Sequence, residues 1–572
     1  MKDQSAQLGQ ILVEDGRLDP DDLDVAIRES HKTGERLSDI LLKMGLVGEE
    51  ALLRALGRQL GVPFVKLSEI QIPEEIINRI PAKVANHYRL IPVGQHNGTL
   101  QVAINDPFDI NTLDDIRLML KVEIEPVLST RKEIDEAIKN YYGIGADTME
   151  SLMVDQSSQD MAQTLEVDSH KVDDAEMAED AAIVRFVNQV INEAFHDRAT
   201  DIHVEPLENE LRIRYRIDGV LYEAAVPQNI KRFQAAIISR LKIMANMNIA
   251  ERRLPQDGKI KVNHKGVEYD LRVSSVPTPY GESMAIRILS RDSQLSTIEK
   301  LGFDDHHALM LREMIKKPHG ILLVTGPTGS GKSTTLYAAL SEINDIGKKI
   351  ITIEDPIEYR IAGVTQIQVQ PSIGLTFANC LRTILRQDPD IIMVGEIRDQ
   401  ETAEITIRTA LTGHLVFSTL HTNDAAGAFT RLMDMGIEPF LVASSVEGVL
   451  AQRLVRVLCP ECKSTYKPDE LTLKRAVPPG QSADGVTFYR QMGCEACRYT
   501  GFRGRTAVYE IIRMNERLRR MIVERSAANV IKAQAMRDGM RPLRFDGWQK
   551  IVRGQTTLDE VMRVTMADDL EE

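Results

Sequence analysis

The sequence predicts a multidomain α/β protein whose C-terminal half folds as a mainly parallel sheet with helices on both faces. The chain has 572 residues, and at about 150 residues per domain this length suggests roughly four domains. From about Thr297 onward, apolar strand-like runs alternate with helical segments, which is typical of parallel sheets. A glycine-rich loop, residues 326–333, joins one of these strands to a helix.

The composition is that of a globular protein that does not coat nucleic acid. Hydrophobic residues make up 43% and charged residues 27% of the chain, which excludes wholesale disorder. The 84 acidic and 70 basic residues give a net charge of −14, which argues against broad binding to nucleic-acid phosphates. We find neither a secretory signal pattern nor an apolar run of roughly 18 residues that could cross a membrane. We therefore expect a cytosolic protein.

The first 60 residues contain a repeated helical unit. Residues 7–30 align with residues 36–59, so that leucines coincide at helical spacing and Gly16 coincides with Gly45. A glycine at this position favours the end of a helix. Residues 1–60 are therefore predicted to form two copies of one helical unit.

Three further segments precede the C-terminal domain, which covers residues 296–572. Residues 61–143 combine strand-like runs around Asn97-Gly98 with a final helical run, and they predict a small α/β module. Residues 144–180 hold eleven acidic residues and one lysine, which predicts an acidic flexible linker. Residues 181–295 begin with a helix, and their Asp218-Gly219 pair predicts a hairpin within a second α/β domain.

The glycine-rich loop matches the phosphate-binding pattern G-x-x-x-x-G-K-[ST]. Its glycines let backbone N–H groups surround phosphate oxygens, and the following helix adds partial positive charge. We expect Lys332 to reach the β- and γ-phosphates of ATP, and Ser333 to ligate Mg²⁺. The predicted nucleotide-binding residues are Gly326, Pro327, Thr328, Gly329, Ser330, Gly331, Lys332, Ser333 and Thr334.

Two apolar strands that follow the loop end in carboxylates. Glu396 follows one of them, and we expect it to orient Mg²⁺ as a Walker B acid, on the strand beside the strand that enters the loop. Glu354 ends the other strand and is the candidate to polarise the attacking water. His421 follows a third apolar strand and is a candidate nucleotide sensor. The alternatives are exposed strand-end carboxylates and a structural histidine.

Four of the five cysteines form two C-x-x-C pairs. The pairs are Cys459 with Cys462 and Cys494 with Cys497. Four thiolates at this spacing predict a closed, structural, tetrahedral zinc site in a reducing compartment. A redox pair is the alternative. The fifth cysteine, Cys380, is expected to be a small core residue.

Further motifs resemble those of the secretion ATPases that power type II secretion and type IV pilus assembly. Residues 352–359 resemble the aspartate box of this family, residues 385–396 its Walker B region, and residues 412–423 its histidine box. Residues 201–206 and 253–258 resemble signatures of the domain before the ATPase core. The resemblance covers almost the whole chain. It implies a RecA-like P-loop ATPase core preceded by a PAS-like α/β domain.

The resemblance also implies roles for single residues. Glu354 would be the catalytic carboxylate, Glu396 the Walker B acid and His421 a γ-phosphate contact. Arginines suit the stabilisation of charge that develops on a transferred phosphoryl group. The arginines implied for this role lie in the preceding domain, as Arg272 and Arg287, and in the core, as Arg382 and Arg386.

The family implies a homohexamer that turns an inner-membrane platform protein and also binds a linker protein of the same machine. It would be cytoplasmic and recruited to the inner face of the inner membrane, with ATP, Mg²⁺ and Zn²⁺ as cofactors. The alternatives are a DNA-translocating or conjugation-type motor and a module that binds nucleotide without turnover. Net acidity and the tetracysteine insertion at 459–497 argue against the DNA motor, so no nucleic acid is expected as a partner. The intact Lys332 and Glu396 argue against the non-hydrolysing module.

The N-terminal repeat resembles the cyclic di-GMP-binding MshEN module of some family members. The second copy fits that pattern except for Ser38 in place of glycine. The first copy has Gln7 in place of arginine and Ser30 in place of glutamine. Loss of an arginine that could stack on guanine or hold phosphate weakens recognition. Cyclic di-GMP sensing and a docking-only role both remain open at this point.

Overall fold

The structure is a computed structural model that describes residues 2–96, 98–120, 122–146, 169–290 and 297–565. The chain divides into two compact units. The first comprises residues 1–217, 221–264 and 270–288, and the second comprises residues 218–220, 265–269 and 289–572. Within the described ranges, no helix combines the length and the apolar character that a membrane crossing requires.

The N-terminal repeat folds as two helix-turn-helix copies, as the spacing predicts. Gly16 and Gly45 adopt φ values of 64° and 67° between the two helices of each copy, a conformation that glycine tolerates without strain. Leu41 of the repeat and Val102 of the following module belong to one hydrophobic core. The repeat and the small α/β module are therefore packed together. The helices of the repeat are Lys2–Glu14, Pro20–Thr33, Leu37–Lys43 and Glu49–Leu60.

The small α/β module contains a three-stranded sheet with strand order β1-β2-β3. Strand β1 is Ile91–His96, β2 is Thr99–Ile104 and β3 is Ile124–Leu128. The first two strands and the last helix were expected from the sequence, whereas Asn97 lies outside the described residues. The helices of the module are Glu74–Ile77, Ala82–Tyr88, Ile110–Leu120 and Arg131–Tyr142.

The linker prediction is wrong at both ends of the segment, and its centre, residues 147–168, lies outside the described residues. At the first end, Ile144 is buried and its amide N–H donates to the carbonyl of Ala225 at 2.7 Å. At the other end, the helix Ser169–His196 begins inside the segment assigned to the linker. The stretch Ala175–Ala182 is rich in alanine, glutamate and methionine. These residues have strong helix propensity, which outweighed the acidic composition.

The second α/β domain is built on a six-stranded sheet with order β6-β5-β4-β9-β8-β7. The predicted hairpin is present, since Asp218 and Gly219 have φ values of 48° and 89° between β5 and β6. The helices Ser169–His196 and Gln234–Met244 pack on the sheet face that carries Val204 and Ile213. The strands are β4 Asp201–Pro206, β5 Leu211–Ile217, β6 Val220–Glu223, β7 Gln256–His264, β8 Val267–Thr278 and β9 Gly281–Ser290.

The C-terminal domain contains a seven-stranded sheet with order β12-β11-β13-β14-β10-β15-β18. The pairs among β10 to β15 are parallel and β15 pairs antiparallel with β18. The expected mainly parallel sheet is therefore confirmed. The strands are β10 Gly320–Thr325, β11 Ile350–Glu354, β12 Thr365–Gln368, β13 Ile391–Val394, β14 Leu415–Leu420, β15 Val446–Leu458 and β18 Phe502–Arg513.

One expectation about this sheet is wrong. The strand that leads to Glu396, β13, does not lie beside β10, because β14 is inserted between them. The order of strands in a parallel sheet depends on crossover connections, which sequence order does not determine. Glu396 still reaches the loop region because it stands two residues beyond the end of β13.

Helices cover both faces of this sheet, and two separate hydrophobic cores result. The tetracysteine insertion holds the short antiparallel strands β16, Ser464–Tyr466, and β17, Phe488–Arg490, with the helix Glu470–Ala476. The other helices of the domain are Asp305–Ile315, Lys332–Ile343, Phe377–Ile384, Gln400–Leu411, Ala426–Asp434, Pro439–Ser445, Glu516–Val523, Ala528–Arg537, Leu543–Val552 and Leu558–Val564.

Candidate nucleotide site and metal centre

The glycine-rich loop connects β10 to the helix Lys332–Ile343, in the order that the sequence predicts. Gly326 and Gly331 have φ values of 148° and 90°, which other residues rarely adopt. A Cβ atom on Gly326 would lie 2.5 Å from the carbonyl oxygen of Gln452, so no side chain fits there. The buried Ser330 Oγ has no hydrogen-bond partner among the described residues. Such an unsatisfied hydroxyl fits a loop that holds phosphate oxygens.

Lys332 lies folded over this loop. Its ammonium donates to the carbonyl oxygens of Gly326 at 2.8 Å and Pro327 at 3.1 Å. Burial lowers the pKa of Lys332 to about 8; the charge of Glu396 opposes this shift and that of Arg453 adds to it. A bound phosphate would give the ammonium a stronger, charged partner than these carbonyls.

Glu396 meets two basic side chains at the carboxyl edge of the sheet. Its carboxylate forms an ion pair with Arg398. The Nη1 atom of Arg398 also lies 3.6 Å from Asp355 Oδ2. The Nε2 atom of His421 lies 3.6 Å from Glu396 Oε2. Glu354, Glu396 and His421 are the three residues proposed to act near the γ-phosphate. Two of them, Glu396 and His421, are thus neighbours. Arg398 was missed by the sequence analysis, although its position two residues after Glu396 could have indicated it.

Glu354 is buried, and both of its carboxylate oxygens accept hydrogen bonds. Its Oε1 atom accepts from Thr352 Oγ1 at 2.6 Å and from Gln366 Nε2 at 3.0 Å. Its Oε2 atom accepts from the hydroxyl of Tyr337, whose pKa is raised by burial and by this hydrogen bond. Tyr337 belongs to the helix that follows the loop. The contact therefore connects Glu354 to the phosphate-binding element.

Gln452 and Arg453 are two residues near the loop that the sequence analysis missed. Gln452 is buried, donates to the carbonyl of Ser330 at 2.6 Å, and accepts from Thr335 Oγ1 at 2.8 Å. Arg453 donates to the carbonyl of Asn423 at 2.7 Å. Both residues lie in β15, where they interrupt the apolar run from Val449 to Val455. This interruption was the available signal.

Three of the four arginines implied by the resemblance make contacts to other residues of the chain that can be named. Arg287 of β9 donates to Asp201 Oδ1 at 3.1 Å, and Arg272 lies on β8. Arg382 pairs with Glu401, and Arg386 donates to the carbonyl of Arg382 at 3.3 Å. The approach of these arginines to ATP therefore stays a prediction.

The four paired cysteines converge into one cluster. Cys459 Sγ lies 3.7 Å from Cys494 Sγ, and Cys462 Sγ lies 3.7 Å from Cys497 Sγ. All four sulfur atoms lie within 4.8 Å of one another. A tetrahedron with metal–sulfur bonds of about 2.3 Å has sulfur–sulfur edges of about 3.8 Å. The thiols are therefore arranged as a zinc ion requires, at distances far too long for disulfides.

These features define a P-loop nucleotide-binding protein. A glycine-rich loop joins a parallel strand to a helix, and Lys332 and Glu396 lie close enough beside it for their charges to interact. The chain belongs to the type II/IV secretion system protein family, T2SSE, whose model matches residues 176–563. This is a family of ATPases, so the expected fold class and enzyme class are confirmed. An MshEN domain model matches residues 60–148. That match covers the small α/β module rather than the repeat that carried the resemblance.

Individual relatives have similar lengths. The chain is 43% identical over 567 residues to the type IV pilus assembly ATPase PilB of Myxococcus xanthus, covering 99% of this chain and 100% of the relative. It is 44% identical over 580 residues to the type II secretion system protein E of Xanthomonas campestris pv. campestris, again covering 99% and 100%. The solved structure of the pilus retraction motor PilT with bound ADP is 27% identical. It covers 66% of this chain and 96% of PilT with a TM-score of 0.44.

Proposed function

We propose that this chain is a hexameric motor that hydrolyses ATP to assemble a pseudopilus or a type IV pilus through an inner-membrane platform protein. The observation that carries the proposal is the match along nearly the full chain to a type IV pilus assembly ATPase and to a type II secretion system protein E. The P-loop geometry supports it, because Lys332, Glu396 and His421 gather at one edge of the sheet. The motor would act at the cytoplasmic face of the inner membrane, together with a linker protein of the same machine and without nucleic acid.

The proposed mechanism assigns the chemistry to this edge. Backbone N–H groups of the loop, to which Pro327 contributes none, and the ammonium of Lys332 bind the phosphates of ATP. Ser333 would hold Mg²⁺, which neutralises phosphate charge when bound. Glu396 would help to hold the metal, Glu354 would polarise the attacking water and His421 would contact the γ-phosphate.

The hexamer is proposed because the arginines expected to complete the site are not all in the P-loop domain. Arg272 and Arg287 lie on the six-stranded sheet of the first unit. In the proposed ring, these arginines would stabilise charge on the γ-phosphoryl group, while Arg382 and Arg386 act from the core. ATP-driven closure of one domain on the next would then be the movement that the platform protein receives.

Glu396→Gln tests this assignment. The variant is expected to bind ATP but to hydrolyse it at least about a hundredfold more slowly, because the amide carries no charge to orient Mg²⁺. Phosphate release measures hydrolysis, and the amount of ATP that stays bound measures binding. Light scattering in the presence of ATP measures the number of subunits in the ring. In cells that depend on this chain, Glu396→Gln should abolish surface pili or protein export.

Glu404→Gln is the matched control for this variant, because Glu404 is an exposed helix residue that pairs with Arg408 at 3.7 Å. Near-normal turnover by Glu396→Gln would contradict the assignment. A monomer in the presence of ATP would contradict the ring. Turnover stimulated by duplex DNA would favour the DNA-translocating alternative.

We also propose that the four-cysteine cluster binds a structural zinc ion. The sulfur–sulfur distances of 3.7 Å fit tetrahedral coordination of zinc by four thiolates. Backbone N–H groups of Gly493 and Gly501 donate to sulfur atoms of Cys462 and Cys497 at 3.3 and 3.2 Å. Such hydrogen bonds stabilise thiolate charge. Four protein ligands leave no open coordination position, so the role is structural.

For the N-terminal repeat, we propose docking rather than cyclic di-GMP sensing. Arg36 of the second copy already pairs with Asp106 at 3.2 Å and lies over the ring of Phe108. The first copy has the exposed Gln7 at the equivalent position. Both features reduce the charge available for a phosphate diester.

Calorimetry of the full chain with cyclic di-GMP is expected to show no binding up to high micromolar ligand. The same titration of Asp106→Asn tests whether the ion pair with Asp106 keeps Arg36 from the ligand, because this substitution removes the ion pair. Saturable binding by the unaltered chain at low micromolar ligand, lost in Arg36→Ala, would overturn the docking proposal in favour of sensing.

A further inference from the structure

The guanidinium of Arg453 lies at the junction of two elements of the nucleotide site. Its Nη2 donates to the carbonyl of Asn423 at 2.7 Å and its Nη1 donates to the carbonyl of Gln452 at 3.2 Å. A Cβ atom on Gly326, the first glycine of the loop, would lie 3.2 Å from the same Nη1. Arg453 therefore holds the segment that follows His421 to strand β15, and its guanidinium lies beside the first glycine of the phosphate loop.

The segment after His421 is held at three points from three strands. Thr422 N–H donates to Thr325 Oγ1, at the end of β10, at 2.9 Å. Ala425 N–H donates to the buried Glu510 of β18 at 3.0 Å. Between these two anchors, Asn423 is held by Arg453 of β15. The outer anchors fix the ends of the segment without Arg453, so its loss should leave the fold intact.

We propose that Arg453 is a positioning residue of the ATPase site, which orients His421 toward the γ-phosphate by clamping the Asn423 carbonyl to strand β15, beside the first glycine of the phosphate loop. This inference rests on the proposed function. A guanidinium suits the role because its planar fork can donate to two carbonyls at once, whereas a lysine ammonium has no fixed fork. The clamp acts on the γ-phosphate side, so it should matter for ATP and not for ADP.

The experiment compares Arg453→Gln and Arg453→Lys with the unaltered full chain. Both variants are expected to lose about ten- to a hundredfold in kcat/KM for ATP, which is the cost of a misplaced catalytic group. The affinity for a non-hydrolysable ATP analogue should fall, while the affinity for ADP stays within about twofold of the unaltered chain.

Arg513→Gln is the matched control, since Arg513 lies on the adjacent strand β18 and pairs with the exposed Glu313 at 2.6 Å. If Arg453→Gln does not fold, Arg453→Lys alone carries the test. The inference is overturned if the variants keep kcat/KM within twofold, or if ATP-analogue and ADP affinities fall together. If the unaltered chain hydrolyses no ATP, the proposed function fails. The analogue-to-ADP affinity ratio then still tests the clamp.

Discussion

Lys332→Ala is expected to reduce kcat/KM for ATP hydrolysis by about a hundred- to a thousandfold. The ammonium already lies in the loop, held by the carbonyls of Gly326 and Pro327. ATP would replace these neutral partners with charged phosphate oxygens, so the positive charge is placed before substrate arrives. Alanine removes that charge and leaves the loop backbone, whose shape depends on its glycines. Phosphate release at saturating Mg²⁺ measures the loss.

Lys348→Ala is the control for this variant, because Lys348 is an exposed residue of the same domain between the P-loop helix and β11. It should keep normal turnover. A melting temperature close to that of the unaltered chain would exclude misfolding of Lys332→Ala. Turnover within a few-fold of the unaltered chain would remove Lys332 from the mechanism.

Cys494→Ser is expected to release the bound metal and to unfold the insertion. The serine hydroxyl is a poor replacement for a thiolate in a four-sulfur site, and structural zinc contributes about 10–16 kcal/mol to the folding of zinc-finger peptides. Elemental analysis should find one zinc per unaltered chain and little in the variant. Limited proteolysis should then cut within residues 459–497.

Cys380→Ala is the matched control for the zinc site. Cys380 is a cysteine outside the cluster that is 3% exposed in the main core, so its loss should leave the zinc content unchanged. The absence of zinc from freshly purified unaltered chain would overturn the site. Equal zinc content in Cys494→Ser would do the same.

Local sequence patterns were sufficient to predict most elements of this fold. Continuous apolar runs located β10, β11, β13 and β14, and the repeat predicted two copies of one helical unit with Gly16 and Gly45 at helix ends. Strand order was not predictable, because the insertion of β14 beside β10 depends on crossovers over the sheet. The helix from Ser169 was missed because an acidic composition resembles a linker even where helix propensity is high.

The residues of the candidate site also divide into those that local sequence predicts and those that depend on tertiary structure. Lys332 and Glu396 were predicted because each belongs to a short motif whose chemistry depends on neighbours in sequence. Gln452 and Arg453 reach the loop from a strand more than one hundred residues later in the chain. Only the pairing of β10 with β15 brings them there. Contacts of this kind depend on tertiary structure, and a single sequence contains no direct record of them.

Strand β15 has a mechanical consequence, because it passes the phosphate loop at its middle and ends at the cysteine cluster. Gln452 contacts the loop, and Cys459 directly follows the last residue of the strand. These two positions are seven residues apart, or about 23 Å along an extended strand. Pairing with β18 runs from Gly448 to Leu458 and stiffens the strand over this length. We therefore expect the paired strands β15 and β18 to transmit a force applied at the cysteine cluster to the phosphate loop.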